Sequence, residues 1–305
     1  MQPVIAIHGG AGVIDKSTHQ LIADNYIEGL TESLTAGLEV LQAGGSAFDA
    51  SIKAVMIMED NPLFNAGKGA VYTKDEAHEL EAAVMNGANL ETGAACGLEH
   101  VKNPILLAKA VMKKSPYVYM YGKGAEALAN KCRLEMVAQS YYDDEIRHAQ
   151  LLKIFETGGL ARDHDISIQY PKGTVGAVAL DSNGNLAAAT STGGLNGKAS
   201  GRIGDTSVIG AGTYADNRTC CISCTGFGEQ FIRIAAAHDI HARMLYKNVS
   251  LTQAADEVVF GVLPPDTGGL VAVDKHGTVA MPYNTKGMFR GYAKGDGELQ
   301  AYIWE

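Results

Sequence analysis

Midway along the chain a polar, turn-prone stretch, Thr157 to Pro171, gives way at Gly173-Thr174 to an apolar β-run, Val175 to Leu180. Asp181-Ser-Asn-Gly184 reads as a turn, and Leu186 to Thr192 returns beside the first strand as a hairpin. A hairpin commits the centre of the chain to antiparallel pairing. The other elements come in blocks rather than in regular βα alternation. Blocks of this kind suggest antiparallel sheets covered by helices, an α+β fold.

Ahead of the hairpin, Val4 to Ile7 reads as a strand running into a glycine turn, His8-Gly-Gly-Ala-Gly12. Leu21 to Gln42 carries Ile22, Tyr26, Leu30, Leu34, Leu38 and Leu41 at helical spacing, and Gly44-Gly45 ends that helix. Ser46 caps a second helix, Ala47 to Asp60, and Asn61 to Gly67 is a loop. Strand-like pieces lie at Ala70 to Thr73 and Glu81 to Met85. Helices are predicted at Pro104 to Lys113, Gly124 to Lys131 and Asp143 to Phe155. Beyond the hairpin the pattern predicts strands at Ser207 to Ile209 and Cys220 to Thr225, then helices at Glu229 to Tyr246 and Leu251 to Val262. It ends with strands at Leu270 to Asp274, Thr278 to Met281 and Gln300 to Trp304.

The 305 residues suffice for one large domain or two small ones, and a hydrophobic share of 46% can fill a sizeable core. Few charges (19%) and 36 glycines indicate tight turns and close backbone contacts rather than disorder. A net charge of -9 disfavours a nucleic-acid partner. No apolar stretch approaches the ~18 residues of a membrane span, and no secretory signal is legible at Met1-Gln-Pro3. Five cysteines, three of them at Cys220, Cys221 and Cys224, argue against a disulfide framework and for a reducing, cytoplasmic location. Cys221 and Cys224 have the spacing of half a zinc site. With no second pair and no histidine at ligand spacing, they read as small buried thiols.

A small residue followed by threonine at the mouth of a buried strand is what a self-cleaving precursor needs. Breaking the Gly173–Thr174 bond would put a hydroxyl and a free α-amine on one residue, nucleophile beside base. Four other segments could serve such a nucleophile, and each also has an ordinary structural reading. His8 to Gly12 could present N–H groups to an anion or be a plain turn. It lacks the Gly-x-Ser-x-Gly or Gly-x-Gly-x-x-Gly context of a hydrolase elbow or a dinucleotide site. Thr190-Ser-Thr-Gly-Gly194 could place hydroxyls across the hairpin from Thr174, or simply be β-formers. Arg202 and Asp205 could hold the carboxylate and ammonium of a free α-amino acid, or form a surface ion pair. Thr225-Gly226 could offer two N–H groups to an oxyanion, or be a glycine turn.

Taken in order, Gly173-Thr-Val-Gly176, Thr190 to Gly194, Gly201-Arg-Ile-Gly-Asp-Thr206, Gly210-Ala-Gly-Thr-Tyr214 and Ser223-Cys-Thr-Gly-Phe-Gly228 closely resemble the plant-type L-asparaginase / isoaspartyl aminopeptidase family of N-terminal-nucleophile threonine hydrolases. His8 to Gly12, Asn61-Pro-Leu-Phe-Asn-Ala-Gly67 and His78 to Gly87 extend the resemblance over nearly the whole chain. It implies a four-layer αββα sandwich made as a precursor, cut into an α-subunit (1–173, its last ~15 residues a mobile linker) and a β-subunit (174–305), and assembled as a dimer of such heterodimers. Thr174 matches the nucleophile and Gly173 the other side of the cleavage site. Thr192 matches the supporting hydroxyl, Arg202 and Asp205 the substrate-binding pair, Thr225 and Gly226 the oxyanion hole. Asn65 matches a position lining the catalytic centre. The backbone carbonyls of Met58, Glu59, Asn61, Phe64, Ala66 and Lys68 match a structural sodium loop; no catalytic cofactor is implied. The chain departs from the family pattern at Lys68, Glu81, Asn86 and Lys172.

The implied activity is removal of the β-amide or isopeptide-linked group from L-asparagine and β-aspartyl dipeptides, releasing L-aspartate through an acyl-threonine. The rival readings are a glycosylasparaginase-type hydrolase, which typically carries Asp where this chain has Gly173, and a Gly-rich small-anion binding protein using His8 to Gly12.

Overall fold

The structure is a computed structural model and describes residues 1–12, 14, 16, 22–157 and 173–304. Thr157 ends a helix, and the expected linker, with Lys172, lies outside the described residues.

Two sheets organise the chain. The larger has eight strands in the order β12-β11-β1-β5-β6-β2-β3-β4, and the smaller four, β10-β9-β8-β7. They comprise β1 (Val4–Gly12), β2 (Leu80–Asn86), β3 (Thr92–Leu98), β4 (Tyr119–Tyr121), β5 (Val175–Leu180), β6 (Leu186–Thr192), β7 (Thr213–Ala215), β8 (Cys220–Gly226), β9 (Gly268–Asp274), β10 (Val279–Ala280), β11 (Gly287–Lys294) and β12 (Leu299–Tyr302). The predicted hairpin is β5–β6, with Val175 opposite Ser191 and Leu180 opposite Leu186. Among the described strands only the short edge strand β4 pairs in parallel.

Strand alternation explains how the sheets are covered. On β1, Ile5 and Ile7 face one way, with Val175, Ala177 and Ala179 of β5, into a core shared with helices α1 (Ala23–Gln42) and α2 (Ala47–Asp60). Val4 and Ala6 face the other way, with Val178 and Leu180, and meet Cys221, Val271 and Val273 of the smaller sheet. The alternate residues of β8 and β9, Ile222, Cys224, Leu270 and Ala272, form a third core. Phe231, Ile240 and Leu251, from helices α6 (Gly228–Ile234), α7 (Ala236–Lys247) and α8 (Leu251–Asp256), fill it. Helices α3 (Pro104–Lys114) and α4 (Gly122–Lys131) pack with Leu80, Ala95 and Leu98, and α5 is Glu145–Thr157. Each fully buried Leu or Ile in these cores contributes about 1.5–3 kcal/mol over leaving it exposed.

Several predicted elements are corrected. The strand Val4 to Ile7 does not end in a turn at His8. It continues to Gly12 with a bulge between His8 and Gly10, because β11 supplies partners as far as Gly287. Ala70 to Thr73 is not a strand: Val71 and Tyr72 donate their N–H groups to the side chains of Asn65 and Asn196 instead of to a neighbouring strand. Ser207 to Ile209 is a turn gathered on the Asp205 carbonyl, which accepts from the N–H of Val208 and Gly212. The predicted helix Glu229 to Tyr246 is broken at Ala235, in the left-handed region at φ 48°, where Ala237 and His238 donate to the carbonyls of Ala211 and Gly210. Leu251 to Val262 is α-helical only to Asp256, and the rest is one π-helical stretch.

Candidate active site

Most of the sequence-predicted site residues gather where the two sheets end together. Thr174 immediately precedes β5 and is buried. Since Val175 pairs with Ser191, the next positions outward, Thr174 and Thr192, close adjacent strands. The Thr192 hydroxyl accepts from the Gly194 N–H at 2.9 Å. Gly173 lies against β1: a Cβ on Gly10 would come within 2.8 Å of the Gly173 Cα, so both positions depend on having none. His8 donates from Nδ1 to the Thr174 carbonyl (2.8 Å), and its Nε2 meets Ser223 Oγ at 2.7 Å, joining β1 to β8 across the sheets. Thr225 is two residues beyond Ser223 and so faces the same side of β8. Its Oγ1 is buried without a hydrogen-bond partner.

Asn65 ties the loop after α2 to the end of β6. Its side chain donates to the Gly194 carbonyl (2.7 Å) and accepts from Val71 (3.1 Å), and its own carbonyl accepts from Gly193.

Arg202 and Asp205 both line this end of the molecule, but they are not the surface ion pair of the ordinary reading. Arg202 is forked on Glu229, with Nε to Oε1 at 3.0 Å and Nη2 to Oε2 at 2.9 Å. That leaves Nη1 toward Gly194, 3.3 Å from where a Cβ there would stand. Burial works against the Glu229 charge, but the Arg202 hydrogen bonds outweigh it and hold the carboxyl below its ordinary value. Asp205 is buried with Oδ2 unpartnered, and the adjacent Thr206 Oγ1 is unpartnered as well. Burial, helped by the negative Glu81 and opposed by Arg202, raises the Asp205 pKa to about 7. Buried polar atoms without partners are costly. Three of them, Asp205 Oδ2 and Thr206 Oγ1 on this stretch and Thr225 Oγ1 on β8, suit a polar ligand carrying a cationic donor.

Glu81 stands opposite Thr192 in the β2–β6 pairing and organises the Arg202–Ser207 stretch, accepting from Gly204 N–H (2.8 Å) and Ser207 Oγ (2.5 Å). Glu81, one of the departures from the family pattern, thus has defined partners. Lys198 is buried beside it, donating to the Glu79 carbonyl, and burial lowers its pKa to about 8. Sequence reasoning missed Glu229, Lys198 and Ser223. Of these only Glu229, an acid in the first turn of the helix after Thr225-Gly226, had a local signal. Asn86 and Lys68 are peripheral: Asn86 Oδ1 accepts from Ala88 in a turn, and Lys68 lies over the Tyr141 ring.

The carbonyls at the end of α2 and in the loop after it are also assembled. Those of Met58, Asn61, Phe64 and Ala66 accept N–H groups of the loop, each keeping a second lone pair. A Cβ on Gly67 would run into the Glu59 carbonyl, and one on Gly69 into those of Pro62 and Phe64. A cradle of neutral oxygens with no room for side chains fits a hard cation. A cavity of about 550 Å³ lined by Tyr72, Glu76, Asp143, Asp144, Glu145 and His148 is acidic and carries no nucleophile. Among the described residues no group of His, Cys, Asp and Glu is arranged to hold a metal ion, and no helix is long and apolar enough to cross a membrane.

A family model described as asparaginase matches residues 1–303. The chain is 48% identical over 298 residues to an isoaspartyl peptidase of Escherichia coli strain K12, covering 95% of this chain and 93% of that protein. It is 40% identical to a probable isoaspartyl peptidase/L-asparaginase 2 of Arabidopsis thaliana, covering 99% and 98% of the two chains. A plant-type L-asparaginase of Pyrococcus furiosus is 39% identical, with coverage of 95% and 96%. With the family model spanning residues 1–303 and relatives 39–48% identical over nearly their full lengths, the chain belongs to the asparaginase family.

Proposed function

We propose that the protein is an isoaspartyl peptidase and L-asparaginase that makes its own nucleophile at Thr174. The observation that carries this reading is the meeting of Thr174 and Thr192 at the sheet ends with a forked Arg202 and the unpartnered buried atoms of Asp205 and Thr225. In the precursor the Thr174 hydroxyl attacks the Gly173 carbonyl; the acyl group shifts from nitrogen to oxygen, and water releases it. The new α-amine has a reference pKa of about 7.7–8.0, so near neutral pH a share of it is unprotonated and can act as base.

The mature hydroxyl then attacks the side-chain carbonyl of an L-aspartyl group. The Gly226 N–H and the unpartnered Thr225 hydroxyl receive the oxyanion, worth about 10²–10³ in turnover for each such donor, whereas the Thr225 N–H faces Gly269 in the β8–β9 ladder. Ammonia or an amino acid leaves, and water frees aspartate. Arg202 Nη1 takes the α-carboxylate and Asp205 the α-ammonium, which restricts the substrate to a free α-amino-acid head. The anion-binder reading loses its basis, since His8 to Gly12 is paired strand rather than turn.

The layered cores, helices outside and two sheets facing each other, support the four-layer αββα sandwich of this hydrolase class. The oxygen cradle from Met58 to Lys68 supports a structural sodium ion, which would tie the loop down without entering the chemistry. The five free thiols support a reducing location, the cytoplasm. Exposed Tyr117, just ahead of the edge strand β4, and Tyr121, its last residue, support pairing with a second copy, as (αβ)2.

A denaturing gel with N-terminal sequencing tests the central claim. Two fragments are expected, the smaller beginning Thr-Val-Gly-Ala, and activity on L-asparagine and a β-aspartyl dipeptide. Thr174→Ala should be uncut and inactive; a cut, active variant would end this reading.

A further inference from the structure

We propose that His8, Ser223, Thr190 and Thr213 form a directional hydrogen-bond relay that clamps the Thr174 carbonyl and thereby positions the Thr174 hydroxyl. The inference rests on Thr174 being the nucleophile and adds residues that do not touch the substrate.

The contacts run in series through both sheets. His8 Nδ1 is 2.8 Å from the Thr174 carbonyl, His8 Nε2 is 2.7 Å from Ser223 Oγ, and Ser223 Oγ is 2.8 Å from Thr190 Oγ1. Thr213 Oγ1 lies 2.6 Å from Thr190 Oγ1 and 3.0 Å from the Thr206 carbonyl. Every member is buried.

Chemistry fixes the direction of the protons. A carbonyl oxygen only accepts, so His8 must carry its hydrogen on Nδ1. Burial, opposed by the bond to Thr174, pushes the His8 pKa down to about 3, so the ring is neutral and Nε2 is a bare lone pair. Ser223 must therefore donate to Nε2. Having spent its proton, Ser223 accepts from Thr190, and Thr190, its own proton spent, accepts from Thr213, whose single hydrogen is shared with the more distant Thr206 carbonyl. Each hydroxyl selects the next, and the sequence of donations ends on the residue that carries the nucleophile.

The relay also accounts for the glycine of Gly173-Thr-Val-Gly176. A Cβ on Gly176 would collide with both His8 Nε2 and Ser223 Oγ, so the bond between them passes directly over that residue. Its need is greatest after cleavage. Thr174 then has no preceding residue to anchor it. Val175 onward is fixed by pairing with β6, and Gly176 onward also by β1. The His8 bond is what holds the carbonyl of Thr174 itself, and with it the direction of the side chain. Small misplacements of a reacting group can cost on the order of 10²-fold in rate.

The test uses substitutions that separate the two ring nitrogens. In His8→Asn the amide nitrogen takes the place of Nδ1 and can still reach the Thr174 carbonyl; in His8→Gln the amide reaches toward Ser223 and the carbonyl bond is lost. His8→Gln should lower kcat on L-asparagine about 10²-fold with KM unchanged, and slow precursor cleavage. His8→Asn should restore most of both. Thr190→Val should repeat the loss and Thr190→Ser should reverse it, which decides the matter if His8→Gln fails to fold. Imidazole 15N shifts of the wild-type protein should show His8 protonated on Nδ1 only. A folded His8→Gln with wild-type cleavage and kcat, equal kcat in Thr190→Val and Thr190→Ser, or a proton on Nε2 would overturn the relay. An active Thr174→Ala would instead remove the nucleophile reading beneath it, so the two failures are distinct.

Discussion

Asp205 sits where its charge is disfavoured, and that has a measurable consequence. Its pKa in the folded protein, about 7, lies above its ordinary 3.8, chiefly because of burial. The neutral form is therefore the better tolerated one. The stabilising contribution is complete below 3.8 and is lost as pH rises through about 7. Each pKa unit corresponds to about 1.4 kcal/mol. Without substrate, the Asp205 contribution should lower the wild-type Tm as pH rises from about 4 to about 7, and Asp205→Asn should flatten that decline while losing substrate binding. A parallel slope in the two proteins would refute the assignment. The unfavourable charge is useful in the complex, where a substrate ammonium would meet it. Arg202 is the opposite case, its fork filled by Glu229. Arg202→Ala should raise KM by about 10–100-fold, the scale of a charge-assisted hydrogen bond. Glu229→Gln should raise KM less and leave kcat nearly unchanged, because it only loosens the aim of Nη1. Steady-state kinetics decide; a fall in kcat at constant KM would show that Glu229 does something else.

At the scale of elements, local order was legible where one partner dominates. The β5–β6 hairpin was readable because its turn and both strands are contiguous. The stripe Tyr26, Leu30, Leu34, Leu38 and Leu41 marked α1, whose buried face is continuous. Reading failed where distant chain supplies the bonds. Strand β3 carries two glycines, and a Cβ on Gly93 would strike the backbone of α3 at Ala108 and Met112, so tight helix packing erased the β-signature. Strand β11 mixes Gly, Arg and Lys with apolar residues and exists because β1 and β12 flank it. The site shows the same division: Thr174, Arg202 and Asp205 stand in recognisable local settings, whereas Lys198 and Ser223 gain meaning only from tertiary contacts. The break between α6 and α7 gives a stability test. Ala235 has φ 48°, a conformation that costs a non-glycine residue about 1–2 kcal/mol. Ala235→Gly relieves this but adds chain entropy in the unfolded state, for a net gain of about 0.5–1 kcal/mol. Chemical denaturation should show a higher midpoint at unchanged m-value; a lower midpoint would mean the Ala235 methyl packs more tightly than the backbone strain costs.

The whole molecule constrains what cleavage can do. Cutting at Gly173–Thr174 would leave β1 to β4 on one fragment and β5 to β12 on the other. In the larger sheet these do not segregate, for the order is β12-β11-β1-β5-β6-β2-β3-β4. Strand β1 of the first fragment is inserted between β11 and β5 of the second, and the β5–β6 hairpin is flanked by β1 and β2. Three antiparallel ladders therefore cross the cut, and the core between sheet and helices draws on both pieces, with Leu30 and Leu34 packed in one cluster with Val175 and Phe289. Separating the fragments would expose those ladders and that core together, which is global unfolding rather than dissociation. The cut protein should thus elute from gel filtration in native buffer as one species containing both fragments. Light scattering should give twice the chain mass if two copies pair through the exposed tyrosines near β4. The fragments should part only in denaturant, at the midpoint where circular dichroism reports loss of the fold. Release of the smaller fragment in native buffer would mean that the ladders across the cut do not hold, and the interleaved sheet would be wrong as a description of the mature protein.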